Sequence, residues 1–129
     1  MRPTFSWIVS LSASCLLGAS TGAIADDSLP KLPNAELLET TELADGGTRQ
    51  AFRTSTSAAD LVDHYASDLR HDGWTITRQG ADGGTTGGGG EVVADREGRH
   101  VVLQAGGPDT TTFVRICSWP KRPSNDYCE

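Results

Sequence analysis

The clearest pattern of apolar and polar positions lies in the middle of this 129-residue chain, over Ala58–His71. Ser57 precedes the pattern as a cap, Asp60 completes a pair typical of a capping box, and Gly73 is placed to end the helix. The pattern therefore predicts one amphipathic helix with a single apolar stripe. The residues of that stripe recur at helical spacing and are Ala58, Leu61, Val62, Tyr65 and Leu69.

Alternating apolar and polar positions predict strands on both sides of this helix. Residues 35–43 fit either a helix or a strand, but the turn at 45–47 and the run at 48–54 favour a β-hairpin. The order ββαββββ predicts an α+β fold in which one helix packs on an antiparallel sheet. The strands expected after the helix span residues 74–77, 91–95, 100–105 and 110–118.

Residues 79–90 hold seven glycines and interrupt this pattern. A phosphate-binding loop would need a strand before it, a helix after it and a lysine followed by serine or threonine. Here a strand is expected to follow, and no lysine lies nearby. The segment is therefore expected to be a flexible hairpin loop.

The first 25 residues have the organisation of a cleavable signal peptide. Arg2 precedes an apolar run diluted by small residues, and Ala23–Ala25 provides an A-x-A cleavage site. The mature chain is then expected to be periplasmic or secreted, with no transmembrane segment, an extended leader at 26–34 and a single domain at 35–129. The alternative is a lipoprotein anchored through Cys15, although the preceding residues fit a lipobox poorly.

Charge and cysteine content narrow the setting further. The mature part contains all 17 acidic residues and ten of the 11 basic ones, so its net charge is −7. Such a chain repels phosphate backbones, and nucleic acid is not an expected partner. After cleavage Cys117 and Cys128 remain, an even pair that predicts a disulfide tying down an irregular tail at 117–128.

The sequence contains no recognisable catalytic or cofactor-binding motif, so no cofactor and no enzymatic activity are expected. One group of residues offers an alternative. His64, Asp68 and His71 follow one helical ridge and could hold a metal ion, with His100 of the sheet as a candidate fourth ligand. The ordinary interpretation of this ridge is a solvated shoulder of the helix, with His71 near the negative end of the helix dipole.

The tail offers the leading candidate for a binding surface. Trp119, Lys121 and Arg122 could dock onto a partner, unless the Trp119 ring packs down over the sheet. Arg96, Arg99 and Arg115 extend this surface if they point the same way. We therefore expect a non-enzymatic domain that binds a protein or a cell-envelope component, in one version as an inhibitor. The alternatives are a metal-binding protein or metal-dependent hydrolase, and a purely structural envelope component.

One segment, residues 48–78, resembles small secreted bacterial proteins and lipoproteins of unknown function. The resemblance lies in Phe52, Thr54–Ser57, Leu61–Tyr65, Leu69 and Gly73–Trp74. In that group a strand leads to a helix with an aromatic–tyrosine pair, and a glycine–tryptophan pair opens the next strand. The resemblance implies an α+β fold and a bacterial envelope or extracellular setting, with no catalytic residues to carry over.

Overall fold

Six strands and one helix build the fold. The computed structural model of the protein describes residues 29–82, 88–108 and 110–128. The strands form one antiparallel sheet in the order β1-β2-β6-β5-β4-β3, and the helix packs against β3, β4 and β5. This confirms the α+β class and one helix on an antiparallel sheet. The elements are β1 (Glu36–Glu42), β2 (Thr48–Thr54), α1 (Ala58–His71), β3 (Thr75–Asp82), β4 (Gly89–Arg96), β5 (Arg99–Gly106) and β6 (Thr112–Trp119).

Local capping explains why α1 begins and ends where it does. The Ser57 side chain accepts a hydrogen bond of 3.2 Å from the backbone N–H of Asp60 at the first turn. At the other end Gly73 has a φ of +90°, a conformation that glycine adopts without a Cβ penalty. The backbone N–H of Trp74 then donates to the carbonyl of Leu69 at 2.9 Å, which completes a Schellman-type end. The predicted bounds of the helix are confirmed.

The main core lies on the face of the sheet that carries α1, called the helix face below. The apolar stripe of α1 is fully buried there against the inward side chains of β4, β5 and β6. Burying these side chains is the main favourable contribution to folding. The sheet residues of this core are Val92, Ala94, Val101, Leu103, Ala105, Val114 and Ile116.

The glycine-rich segment was expected to be a loop over 79–90, and this is wrong at both of its ends. β3 continues to Asp82 and β4 begins at Gly89, so both ends are paired strand, while residues 83–87 lie outside the described residues. Packing gives one reason for glycine in a strand here. A Cβ on Gly90 would overlap the side chain of Val62, so the bare backbone lets α1 approach β4 closely.

A second, smaller core lies on the opposite face of the sheet. The C-terminal tail, residues 120–128, closes over part of that face, which is therefore called the tail face. Cys117 of β6 forms a disulfide with Cys128, with the two Cα atoms 5.6 Å apart. Val93, Val102 and Trp119 are buried around this disulfide. The predicted disulfide-tied tail is thus observed, and it provides a hydrophobic cover for one end of the sheet.

The residues before β1 also contact the sheet. Leu29 and Leu32 pack against the helix-face core beside Phe52 and Ile116. An open cleft of about 590 Å³ remains there between the leader and strands β2 and β6. The predicted signal peptide at residues 1–25 and Cys15 lie outside the described residues. In the described part of the chain, no helix has the length and apolar character needed to cross a membrane.

Candidate functional site

Trp119, one of the candidate residues of the binding surface, is instead a core residue, which was the alternative expected for it. Its side chain is only 4% exposed and lies directly against Gly47, where an added Cβ would overlap the indole. Lys121 and Arg122 next to it are exposed. The tail therefore presents two cations without the aromatic side chain that was expected to accompany them.

Arg96 and Arg99 are at the same end of the sheet as the tail but belong to the other face. Each follows the two-residue spacing of the helix-face core residues of its own strand, so its side chain is on the helix face. The Arg99 guanidinium carbon lies 5.4 Å from the centre of the Trp74 ring, a cation–π contact. The tail closes over the opposite face, so the structure does not gather these arginines with Lys121 and Arg122 into one surface.

The helix ridge shows an exposed ion pair. His64 Nε2 lies 3.2 Å from Asp68 Oδ2, and both side chains are about half exposed. His71 is also exposed. Within residues 29–82, 88–108 and 110–128, no three His, Cys, Asp or Glu side chains are grouped so that they could hold a metal ion. His100, the candidate fourth ligand, lies beyond the sheet on the tail face, because it packs against Trp119 at a ring distance of 5.7 Å.

His100 has a different role that the sequence did not reveal. It is fully buried, with Nδ1 2.6 Å from Asp95 and Nε2 3.1 Å from Asp126. Each ring nitrogen is thus within hydrogen-bonding distance of a carboxylate, one on the sheet and one on the tail. Asp95, His100 and Asp126 form what we call the tail latch, since Asp126 belongs to the tail and the other two to the sheet.

The open part of the tail face carries a row of polar and small residues that crosses the whole sheet. Each member of the row pairs in register with the next, so that all six strands contribute one residue. Five steps of about 4.8 Å give the row a length of about 24 Å. From β3 to β1 its members are Gly80, Glu91, Gln104, Arg115, Ala51 and Glu39.

Three adjoining depressions follow this row, and together we call them the trough. The first, of about 440 Å³, reaches from Gly80 to Gln104; the second, of about 280 Å³, from Gln104 to Arg115. The third, of about 450 Å³, lies around Ala51 and is also lined by Arg115. Neighbouring depressions share Gln104 and Arg115, so the three adjoin one another along the row.

Phe113 gives the trough one apolar wall. Its side chain is 48% exposed, and it lines the same depression as Gln104 and Arg115. A half-exposed aromatic ring costs free energy by ordering water around it, so its exposure suggests contact with a ligand. A single exposed ring on a monomer is also common, and the polar neighbours of Phe113 therefore carry most of the argument.

Charges on the tail face are partly paired within the sheet. Arg53 forms an ion pair with Glu36, and Arg78 donates to Glu91 at 2.6 Å. The hydrogen bond to Glu91 raises the pKa of Arg78 above its ordinary value, so the guanidinium keeps its charge. Two other arginines on this face, Arg49 and Arg115, form no ion pair with any residue that the structure describes.

The chain matches no protein-family model, no curated protein and no solved structure at a significant level. The functional argument therefore depends on the residues of this chain alone. Sequence reasoning missed the trough because its members are far apart in the chain and alternate with core residues. The one available signal was the polar position between apolar ones in β5 and β6, occupied by Gln104 and Arg115.

Proposed function

We propose that the mature chain is a non-catalytic binding domain, working outside the cytoplasm, whose trough holds an extended glycan of the cell envelope. The observation that carries this proposal is the cross-strand row, which places a polar trough of about 24 Å across all six strands of the tail face. A long, shallow and polar trough is suited to a linear ligand that is recognised along its length.

The position of the trough favours a glycan over a peptide. An extended peptide gains affinity by adding a strand at a sheet edge, where main-chain N–H and C=O groups are unpaired. On a sheet face those groups are already used between strands, so recognition depends on side chains. Gln104 offers both a donor and an acceptor, Glu91 an acceptor and Arg115 donors, which suits hydroxyl groups that donate and accept.

The small apolar content of the trough also favours a glycan, in this case over a protein partner. Phe113 is the one large apolar side chain among the described residues that line it. Protein partners usually need a larger apolar patch at the centre of the interface. A single ring is sufficient to stack against the C–H face of one sugar, while polar side chains bind the rest.

Other features support a location outside the cytoplasm. The Cys117–Cys128 disulfide is of the kind that persists in oxidising compartments. The organisation of the first 25 residues, and the resemblance to small secreted bacterial proteins, support the same location.

The test is binding of the mature, oxidised chain (residues 26–129) to an array of envelope-type oligosaccharides long enough to span the trough. The double variant Gln104→Ala/Phe113→Ala is expected to weaken binding about tenfold or more, since it removes one hydrogen-bonding group and the stacking ring. The matched control is Lys121→Ala/Arg122→Ala, which removes two exposed cations of the tail and is expected to leave binding unchanged.

Two results would contradict the proposal. The first is an array on which no oligosaccharide binds the folded chain. The second is loss of binding in the tail variant with full binding in the trough variant, which would return the site to the tail. Thermal unfolding of each variant confirms that the fold is intact.

A further inference from the structure

We propose that the glycan is acidic, and that Arg49 and Arg115 form the subsite for its carboxylate groups. This inference rests on the proposed function and names the chemical class of the ligand. It is carried by the third depression of the trough, around Ala51.

The geometry of this depression suits an inserted anionic group. Ala51 forms its floor, and its small side chain leaves a space of about 450 Å³. Arg115 lies directly opposite Ala51 on β6, while Arg49 precedes Ala51 by two residues on β2. Diagonal neighbours of this kind are about 7–8 Å apart, within reach of long side chains. Two guanidinium groups therefore border the same space.

The charge of both groups is available to a ligand. Among the described residues, neither Arg49 nor Arg115 has a carboxylate within 4 Å, whereas Arg53 and Arg78 on the same face are paired. A guanidinium has five N–H donors, so one internal hydrogen bond leaves most of them free. An overall acidic chain thus carries a local positive site.

Each guanidinium has one internal contact that restricts its orientation. Arg115 Nη1 donates to the backbone carbonyl of Cys128 at 3.4 Å, and Arg49 Nη2 donates to Thr41 Oγ1 at 3.5 Å. Both contacts are at the long end of hydrogen bonding and hold the side chains loosely. The first one links the orientation of Arg115 to the disulfide-tied tail.

The remaining wall of this depression is acidic. Glu39 borders the depression on the β1 side and has no basic partner among the described residues. Its negative charge offsets part of the attraction that the two guanidinium groups exert on an anion, so one carboxylate is enough to neutralise the charge that remains. It also accepts a hydrogen bond from a hydroxyl next to that carboxylate. A hexuronate unit, whose ring carries a carboxylate beside a hydroxyl, has this combination.

The experiment compares two probes by calorimetry on the mature, oxidised chain. One probe is a hexuronate oligosaccharide, and the other is the neutral hexose oligosaccharide of the same linkage and length. The hexuronate is expected to bind about tenfold or more tightly, because charge-assisted hydrogen bonds are stronger than neutral ones. Arg49→Gln and Arg115→Gln should each reduce this preference, because each removes one of the two positive charges that border the depression.

Arg53→Gln is the matched control, since Arg53 is an arginine of the same face that is already paired with Glu36. It is expected to keep the preference for the hexuronate. Equal binding of the two probes would overturn the subsite and retain the glycan-binding function. If neither probe binds, both the carboxylate subsite and the glycan-binding function are contradicted. A sulfated hexose oligosaccharide that binds more tightly than the hexuronate would overturn the choice of a carboxylate.

Discussion

Tyr65 shows how a single residue can be buried without all of its polar groups being satisfied. Its ring is 1% exposed in the helix-face core, and its hydroxyl has no hydrogen-bond partner among the described residues. Burying an unpaired hydroxyl costs free energy, so the ring stabilises the fold while the hydroxyl opposes it. Burial also raises the pKa of Tyr65, with the nearby Asp68 as a smaller cause.

Tyr65→Phe is therefore expected to keep or increase the free energy of unfolding at neutral pH, by up to about 1 kcal/mol. The two proteins should diverge at high pH. Above the ordinary tyrosine pKa of about 10, residue 65 ionises in the unfolded wild type while the folded state keeps its proton, so stability falls as pH rises. The Tyr65→Phe variant does not lose stability in this way, because phenylalanine has no group at this position that ionises.

Urea unfolding at pH 7 and pH 10.5 measures both effects, and all other titrating groups cancel in the comparison. A loss of more than about 1 kcal/mol at pH 7 in Tyr65→Phe would mean that the hydroxyl has a favourable partner. A constant difference between the two proteins at both pH values would contradict the assigned direction of the pKa shift.

At the scale of elements, the chain was most predictable where structure depends on near neighbours. The bounds of α1 follow from Ser57, the apolar stripe and Gly73, all within one segment. The ends of β3 and β4 were missed because strand pairing across the sheet, and the close approach of Val62 to Gly90, overcome the weak strand propensity of glycine. The sequence left open whether Trp119 is exposed for docking or packs over the sheet, because its burial depends on Gly47, which is distant in sequence.

The tail latch could not be predicted from the sequence either, and its contribution to stability can be measured by removing His100. His100→Ala should lower the free energy of unfolding by about 3 kcal/mol, because it removes the buried partner of two carboxylates and leaves a cavity. His64→Ala is the matched control, since its ion pair with Asp68 is exposed and worth about 0.5 kcal/mol.

Chemical unfolding of the oxidised proteins measures both variants. Equal losses in His100→Ala and His64→Ala would mean that the latch contributes nothing to holding the tail. The disulfide remains in both variants, so the comparison isolates the latch from the covalent bond.

At the scale of the whole molecule, the sequence indicated an acidic, secreted domain but not where its charges lie. Four of the 17 acidic residues are on α1 and its C-terminal cap, whereas on the tail face two arginines are paired and two form no ion pair with a described residue. Net charge describes long-range repulsion, while recognition depends on the local arrangement. The α+β class could be predicted from periodicity; the trough could not, because it exists only once β1 to β6 are in register.

The expected location has a direct test. Expression of the full chain in a secreting bacterial host should yield a soluble protein that begins at Asp26, after cleavage behind Ala25. N-terminal sequencing of the exported protein measures this. A lipid-modified Cys15 at the N-terminus would instead mean that the protein is anchored, and an intact Met1 would mean that it is not processed.

The position of Trp119 also gives the protein an optical property. After the expected cleavage only two tryptophans remain, Trp74 against α1 and Trp119 between His100 and the disulfide. A disulfide quenches indole emission by accepting an electron from the excited ring. Trp119 is therefore expected to emit weakly in the oxidised chain and to brighten when the disulfide is reduced, so intrinsic fluorescence reports the redox state of Cys117 and Cys128 without an added label.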